Sequence, residues 1–221
     1  MAEPEAIFKA YDIRGVVPDQ LDADLARRIG AAFVDVLRAD DPDLREIAVG
    51  HDMRPSSPDL VAAFAEGVTN RGADVIDIGL ASTDELYFVS GYLDRPGAMF
   101  TASHNPPQYN GIKLCRAGAS PIGRDSGLSD IRALLDTELP PRDGPAGSVR
   151  QQDFLQAYAD YLLSLVDLST MRRLKVVVDA GNGMAGHTVP TVFADLNVDL
   201  VPLYFELDGT FPHHEANPIE P

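Results

Sequence analysis

A short polar loop carries the first side chains of this 221-residue chain that could do chemistry. Ser103 and His104 lie within residues 101–107, directly after an apolar segment that predicts a strand. Ligands of open α/β sheets bind beyond the carboxyl ends of strands, and a proline disfavours the helical conformation for the residue before it. Because Pro106 follows closely, the sequence predicts a constrained loop that presents Ser103 outside a helix.

Three kinds of chemistry suit this loop. The favoured interpretation makes Ser103 the acceptor of a transferable phosphoryl group. An acyl-transfer pair of Ser103 and His104 is a weaker alternative, because adjacent residues on an extended loop point apart and catalytic triads assemble from distant segments. The third alternative is a turn in which the serine and asparagine have only a structural role.

Two cations in other segments could serve an anionic substrate. The chain has only three lysines, and Lys113 follows Ser103 by ten residues. A lysine there could bind phosphate or act as a general acid or base, and the alternative is an exposed lysine on a strand edge. Arg14 precedes Gly15 and could place a guanidinium fork at a turn, although such pairs also occur in ordinary surface turns.

A glycine-rich turn gives a competing hypothesis. Residues 181–186 read G-x-G-x-x-G after a predicted strand and before a predicted helix, with Glu206 or Asp208 about twenty positions further on. That pattern is typical of a dinucleotide-binding domain, and the alternative is close packing of strand, turn and helix. The cluster of His213, His214 and Glu215 predicts a surface turn rather than a metal site.

The elements that must position these residues alternate along the first part of the chain. Strands are predicted at 46–50, 74–79 and 97–101. Ser57 is predicted to cap one helix ahead of a proline, and Ser82 with Glu85 forms a capping box for a helix at 86–89. This alternation indicates the α/β class with a largely parallel sheet.

A second α/β segment is predicted after a proline- and glycine-rich linker. The linker is at 139–147, and an amphipathic helical segment follows at 154–165. A buried strand is predicted at 174–179, a helix at 187–196 and a further strand at 198–205, where Pro202 argues against regular pairing.

The charge balance narrows the classes of function. Lys and Arg number 18 against 34 Asp and Glu, which gives a net charge of −16. Such a chain repels nucleic acid and anionic membranes, and an anionic substrate requires locally concentrated cations. The single cysteine, Cys115, and the absence of an apolar leader or spanning segment predict a cytoplasmic protein.

Four segments together resemble the α-D-phosphohexomutase superfamily, in particular its bacterial phosphomannomutase/phosphoglucomutase branch. They read FKAYDIRG at 8–15, TASHNPPQYNGIK at 101–113, VVVDAGNGMAG at 176–186 and FPHHEANP at 211–218. The resemblance implies two three-layer α/β/α units with mixed, mainly parallel sheets. Domain I, with the phosphoserine loop, is expected at 1–148, and an incomplete domain II at 149–221.

The same resemblance implies a reaction and a set of site residues. Family members transfer phosphate between the 1- and 6-hydroxyls of a hexose such as mannose or glucose, through a phosphoserine and a hexose 1,6-bisphosphate. By resemblance Ser103 carries the phosphate, Lys113 is the general acid/base and Arg14 steadies the charge. Tyr11 and His104 line the substrate side, with His104 also counted as catalytic. Mg²⁺ is expected to bind the phosphate on Ser103.

The sequence departs from the family pattern at the metal loop. The aspartate-rich D-G-D-G-D-R stretch of the family does not occur in these 221 residues. The chain is therefore expected to be the N-terminal part of a longer mutase and to be inactive by itself. Two alternatives remain, namely a non-catalytic phosphosugar-binding module and a dinucleotide-binding domain.

Overall fold

A mixed seven-stranded sheet forms the centre of the first part of the chain. The structure is a computed structural model that describes residues 6–137, 139–140, 144–217 and 219. Part of the predicted linker, at 141–143, lies outside the described residues. The strands are β1 (Ile13–Val16), β2 (Glu46–His51), β3 (Asp74–Leu80), β4 (Gly97–Phe100), β5 (Tyr109–Arg116), β6 (Ser120–Pro121), β7 (Val149–Gln151), β8 (Leu174–Asp179) and β9 (Val198–Leu203). The α-helices are α1 (Ala23–Asp40), α2 (Ser57–Asn70), α3 (Thr83–Leu93), α4 (Leu128–Leu134), α5 (Leu155–Ser164) and α6 (Ala185–Phe193).

The strand order of the first sheet is β1-β5-β4-β2-β3-β7, with β6 paired to β5. Strands β4, β2, β3 and β7 run parallel to one another, whereas β5 is antiparallel to its neighbours β1 and β4. The predicted α/β class is confirmed. Successive parallel strands are connected by helices, as crossover connections require. The antiparallel strands β4 and β5 are connected by the serine loop alone.

Helices cover both faces of this sheet because its buried side chains alternate along each strand. On β2, Ile47 and Val49 belong to the core beneath α1, α2 and α4, whereas Ala48 belongs to the core beneath α3. On β4, Phe100 faces the first core and Met99 the second. The result is a three-layer α/β/α arrangement.

Two glycines allow α1 and α2 to pack closely. A Cβ atom on Gly67 would lie 1.9 Å from the carbonyl oxygen of Arg27, and one on Gly30 would lie 2.3 Å from that of Phe64. Helix α1 begins at the N-cap Asp22, whose side chain accepts a hydrogen bond from the Leu25 N–H. Within the described residues, no helix is long and apolar enough to cross a membrane.

The second segment contains a parallel pair, β8 and β9, and two helices, α5 and α6, that pack against each other. The strand predicted at 174–179 is confirmed in its bounds, but the prediction that it is buried is wrong, since Val177 is 59% exposed. Pro202 lies within β9 opposite Val178, so the proline does not prevent pairing there. Strand β7 belongs to the first sheet, next to β3. The domain boundary at 148/149 stays a prediction.

Two helix starts differ from the sequence prediction. Ser57 does not cap α2: the N-cap is Ser56, and the Ser57 hydroxyl instead donates to Asp52 at 3.0 Å. Helix α3 begins at Thr83 and continues to Leu93, well beyond the predicted 86–89. Its N-cap Ser82 is the predicted one: the Ser82 hydroxyl accepts from the Glu85 N–H at 3.1 Å, and the buried Glu85 carboxyl group accepts a hydrogen bond from the Ser82 backbone.

We predict that Gly67→Ala destabilises the protein by about 1–3 kcal/mol, because the added methyl group would force α1 and α2 apart. Gly91→Ala is the matched control, since Gly91 also lies in a helix and a Cβ there meets nothing within 4 Å. That control is expected to be neutral or stabilising by up to about 1 kcal/mol. Chemical unfolding of both variants measures the difference, and equal stabilities would contradict the packing argument.

Candidate active site

The serine loop leaves β4 at Phe100 and returns to the sheet at β5. Its start is fixed by a hydrogen bond from the Thr101 N–H to the Gly111 carbonyl at 3.0 Å. Ser103 is exposed and its backbone φ angle is +52°. This left-handed conformation is seldom adopted by residues other than glycine and asparagine. The Ser103 N–H donates to the Thr101 hydroxyl at 2.9 Å. The loop therefore holds the serine in an unusual conformation with its side chain outward.

A buried arginine holds this loop from below. Arg54 is 1% exposed, and a guanidinium has five N–H donors. One of them bonds the Asp52 carboxylate at 3.2 Å, and the other four bond backbone carbonyls at 2.7 to 2.9 Å. Those carbonyls belong to Ser103, Asn105, Pro106 and Tyr109. All five donors are thus satisfied, and four of the acceptors belong to the segment that carries the candidate nucleophile.

A buried polar network supports Arg54 in turn. The other oxygen of Asp52 accepts from the Arg54 N–H at 3.1 Å and from the Ser57 hydroxyl at 3.0 Å. The Asn110 amide donates to Ser57 at 3.0 Å and to Ser56 at 2.9 Å. Burial lowers the pKa of the Arg54 guanidinium, while the charge of Asp52 and its hydrogen bond act in the opposite direction.

The two predicted cations, Arg14 and Lys113, meet at one carboxylate. Asp12 Oδ2 accepts from Arg14 Nη2 at 2.6 Å and from Lys113 Nζ at 3.0 Å. Lys113 lies on β5, between β1 and β4, so the alternative of an exposed lysine on a strand edge is wrong. The side chains of Arg14 and Lys113 are 25% and 23% exposed, which leaves each cation accessible on one side.

His104 and Tyr11 lie on the surface near these groups. His104 follows Ser103 directly and is exposed. Tyr11 is 81% exposed and lies beside the turn at Gly123, where the Arg124 N–H bonds the Ala10 carbonyl at 2.8 Å. Their predicted roles stay predictions.

A cleft of about 580 Å³ lies between the serine loop and the second segment. Its first wall contains Ser103, Asp52 and the start of α3, and its second wall contains the glycine-rich turn and His214. The residues lining it do not include Arg14, Lys113, Tyr11 or His104. The structure therefore brings Arg14 and Lys113 together and places Ser103 on the cleft, at the same edge of the sheet.

The space next to the glycines of the glycine-rich turn is occupied by other residues of this chain. A Cβ on Gly181 would lie 2.7 Å from the His214 ring, and one on Gly186 would lie 2.1 Å from the Phe205 carbonyl. The Asn182 amide donates to the Glu206 carbonyl at 2.9 Å. A pyrophosphate on a dinucleotide-binding turn needs that close approach to the backbone, so this packing argues for the structural interpretation of the glycines.

His214 also joins this turn to the cleft. Its Nε2 lies 3.1 Å from Asp179 Oδ1, and that hydrogen bond is the main reason why the pKa of Asp179 is lowered. Hydrogen bonds to the Glu215 carbonyl and to Asp179 raise the pKa of His214. When the imidazole is protonated, it and the carboxylate stabilise each other at the cleft wall.

The described residues do not by themselves form a magnesium site. They contain no group of three or more His, Cys, Asp or Glu side chains that could hold a metal ion. Three acidic residues line the cleft, namely Asp52, Asp179 and Glu215, and the carboxylates of the first two are already bonded to Arg54 and His214.

Sequence reasoning missed several residues that build the site. Asp52 and Arg54 form a D-x-R pattern after β2. That pattern does not predict hydrogen bonds to a loop some fifty residues later in the chain. The position of Asp12 beside Arg14, by contrast, could have been predicted from the sequence. Asp12 lies two residues before Arg14 next to a strand, so both side chains share one face.

Glu85 is a further buried ionisable group near the cleft, on the first turn of α3. It is 1% exposed, and its Oε2 has no hydrogen-bond partner among the described residues. Burial raises its pKa from 4.5 to about 7, with a hydrogen bond from the Ser82 backbone opposing the shift. The carboxyl group is therefore neutral in the folded protein under mildly acidic conditions.

Comparison with known families agrees with the fold and the motifs. The family model described as phosphoglucomutase/phosphomannomutase, alpha/beta/alpha domain I, matches residues 5–140, and that for domain II matches residues 156–221. A relative named "Phosphohexose mutases" from Xanthomonas campestris is 45% identical over 97% of this chain and 47% of its own length. A phosphomannomutase from Escherichia coli is 43% identical over 97% of this chain and 48% of its own length.

Solved structures give the same assignment. A phosphoglucomutase/phosphomannomutase family protein from Burkholderia thailandensis superposes with a TM-score of 0.85 at 37% identity, over 96% of this chain and 46% of that protein. Fold and motifs thus place the chain in the α-D-phosphohexomutase superfamily. Within it, the chain belongs to the phosphoglucomutase/phosphomannomutase family. The chain spans about half the length of the curated relatives it matches.

We predict that Arg54→Lys destabilises the protein by about 3 kcal/mol, because lysine has three donors and no fork, so buried loop carbonyls lose their partners. Arg45→Lys is the matched control, since the Arg45 side chain is 79% exposed and 3.8 Å from Asp43. That substitution is expected to change stability by less than about 0.5 kcal/mol. Equal unfolding free energies for the two variants would contradict the proposed support of the loop.

We predict that Glu85→Gln changes how stability depends on pH. The unfolded carboxyl group ionises near 4.5 and the folded one only near 7, so the free energy of unfolding falls as pH rises between these values. The glutamine variant lacks this decline and is more stable at pH 8 by up to about 3 kcal/mol. Glu206→Gln, at an exposed position, is the control and is expected to follow the wild-type profile. A Glu85→Gln profile parallel to that of the wild type would contradict the prediction.

Proposed function

We propose that the complete protein is a hexose-phosphate mutase that transfers phosphate through Ser103. The observation that supports this most directly is the exposed Ser103 at positive φ, whose loop is held by Arg54. The otherwise acidic chain also pairs two cations, Arg14 and Lys113, at Asp12. Phosphoryl transfer asks a protein mainly for positioning and charge neutralisation. The names of the relatives, phosphomannomutase and phosphohexose mutase, support a hexose phosphate as the substrate class.

In the proposed reaction the bond between phosphorus and the Ser103 Oγ breaks as a bond from phosphorus to a sugar hydroxyl forms. Lys113 Nζ donates a proton to the Ser103 oxygen as that oxygen leaves phosphorus and takes up the proton of the sugar hydroxyl, so the lysine ends the transfer protonated, as it began. The reverse transfer moves the same protons back. Arg14 attracts the charge on the phosphoryl oxygens. His104 and Tyr11 orient the sugar. The product of the first transfer is a hexose 1,6-bisphosphate, which reorients and phosphorylates Ser103 again through its other phosphate.

Mg²⁺ belongs to the proposal as the cation that would bind the phosphate on Ser103 and act as a Lewis acid when present. Among the described residues there is no group of three or more His, Cys, Asp or Glu side chains to hold it. The transfer as written depends on the chain's own serine, lysine and arginine. A cytoplasmic location and mannose or glucose as the sugar are parts of the same proposal.

We predict that Ser103→Ala abolishes mutase turnover in the complete protein, because the phosphoryl acceptor is lost. The fold is expected to persist, since the contacts of Ser103 with Arg54 and Thr101 involve only its backbone. Ser129→Ala, at an exposed position on α4, is the matched control and is expected to keep full activity. A coupled assay measures turnover, and peptide mapping of the intact protein locates the phosphate.

Two results would count against the mechanism. Normal turnover by Ser103→Ala would exclude a phosphoserine intermediate. Binding of hexose phosphates by both wild type and Ser103→Ala, without turnover by either and without phosphate on Ser103, would favour a non-catalytic phosphosugar-binding module.

A further inference from the structure

We propose that Asp12 is a positioning residue that fixes Lys113 and Arg14 relative to each other for phosphoryl transfer. This inference rests on the proposed mutase function and adds a residue to it. Asp12 is not expected to touch the substrate, because it is 6% exposed and lies behind the two cations.

The position of Asp12 follows from the strand register. Arg14 lies opposite Gly111 in the antiparallel pair of β1 and β5, and continuing that register places Asp12 opposite Lys113. Residues two apart on a strand share a face, and directly opposed residues share it too. Gly111 leaves the position opposite Arg14 free of a side chain, and a Cβ there would lie 2.4 Å from the Ile13 carbonyl. The long side chain of Arg14 can therefore fold back towards Asp12.

Both cations converge on a single oxygen. Asp12 Oδ2 accepts from Arg14 Nη2 at 2.6 Å and from Lys113 Nζ at 3.0 Å. A flexible lysine has many rotamers, and a hydrogen bond to a buried acceptor selects among them. Since Arg14 uses the same acceptor, the two nitrogen atoms are fixed with respect to each other as well as to the sheet.

The charges explain why a buried carboxylate is tolerated here. Burial by itself raises the pKa of Asp12, but hydrogen bonds and charges from Arg14 and Lys113 outweigh it, so the pKa lies below its usual value. The three groups carry one net positive charge when all are ionised. Without Asp12 the two cations would repel each other on one face of the sheet, and each would be free to move away from the reacting phosphate.

Displacement of these groups has a kinetic consequence. Misplacing a catalytic group by about 1 Å can cost about 100-fold in rate. We therefore expect Asp12→Asn, which keeps the shape and removes the charge, to lower kcat of the complete protein by about 10- to 100-fold. KM is expected to change less than kcat. Asp24→Asn, at a carboxylate that is 69% exposed on α1, is the matched control and is expected to leave both constants unchanged.

A double-mutant cycle with Lys113→Ala separates positioning from simple structural support. If Asp12 acts through Lys113, adding Asp12→Asn to Lys113→Ala lowers kcat by no more than about threefold beyond Lys113→Ala alone. A structural role instead predicts multiplicative losses. Thermal unfolding of each variant defines a temperature at which all are folded, and Asp12→Glu, which retains the charge, replaces Asp12→Asn in the cycle if the latter does not fold.

The outcomes are distinguishable. Wild-type kcat in Asp12→Asn, or fully multiplicative losses in the cycle, would overturn the positioning role while the mutase function stands. A complete wild-type protein without mutase activity would remove the proposed function, and this inference with it. A large loss of kcat that disappears in the Lys113→Ala background is the result we expect.

Discussion

The geometry of the site depends on one buried guanidinium. Arg54 comes from the segment after β2, yet four of its five donors bond carbonyls of the loop after β4 or of Tyr109, the first residue of β5. Leaving buried carbonyls unpaired costs more than a typical hydrogen bond gains, so the loop and the arginine stabilise each other's conformation. The positive φ of Ser103 is held by this arrangement, with Asp52 balancing the buried charge.

The same arginine links the two parts of the chain. The Phe211 ring lies 5.2 Å from the Arg54 guanidinium carbon, and a Cβ on Gly209 would lie 2.7 Å from the Arg54 Cα. The segment after β9 therefore packs on the group that holds the serine loop. His214, a few residues later, bonds Asp179 on the other wall of the cleft. Both walls of the cleft are thus tied to a small set of buried or paired charges.

Local patterns in the sequence were sufficient for much of the fold but not for the support of the site. The strand at 174–179 was predicted with its observed bounds because its apolar residues end at a polar turn, but its predicted burial was wrong, since Val177 is 59% exposed. Helix α3 was predicted too short, because burial of Glu85 and the Phe88 contacts depend on packing rather than on local propensity. The interior position of β5 was also missed, since strand order is set by tertiary pairing.

The residues that could be predicted and those that could not differ in how their contacts form. Ser103, Arg14 and Lys113 were identified from their motifs, which are local in the chain. Arg54 bonds carbonyls about fifty residues away, so its role appears only when β2 and β4 lie side by side. Asp12 is intermediate, because alternation predicts its face but not that two cations would share its oxygen. The chain has a net charge of −16, and its cationic site side chains are held in position by ion pairs with neighbouring carboxylates. The acidic residue beside each cation is therefore as much a part of the site as the cation.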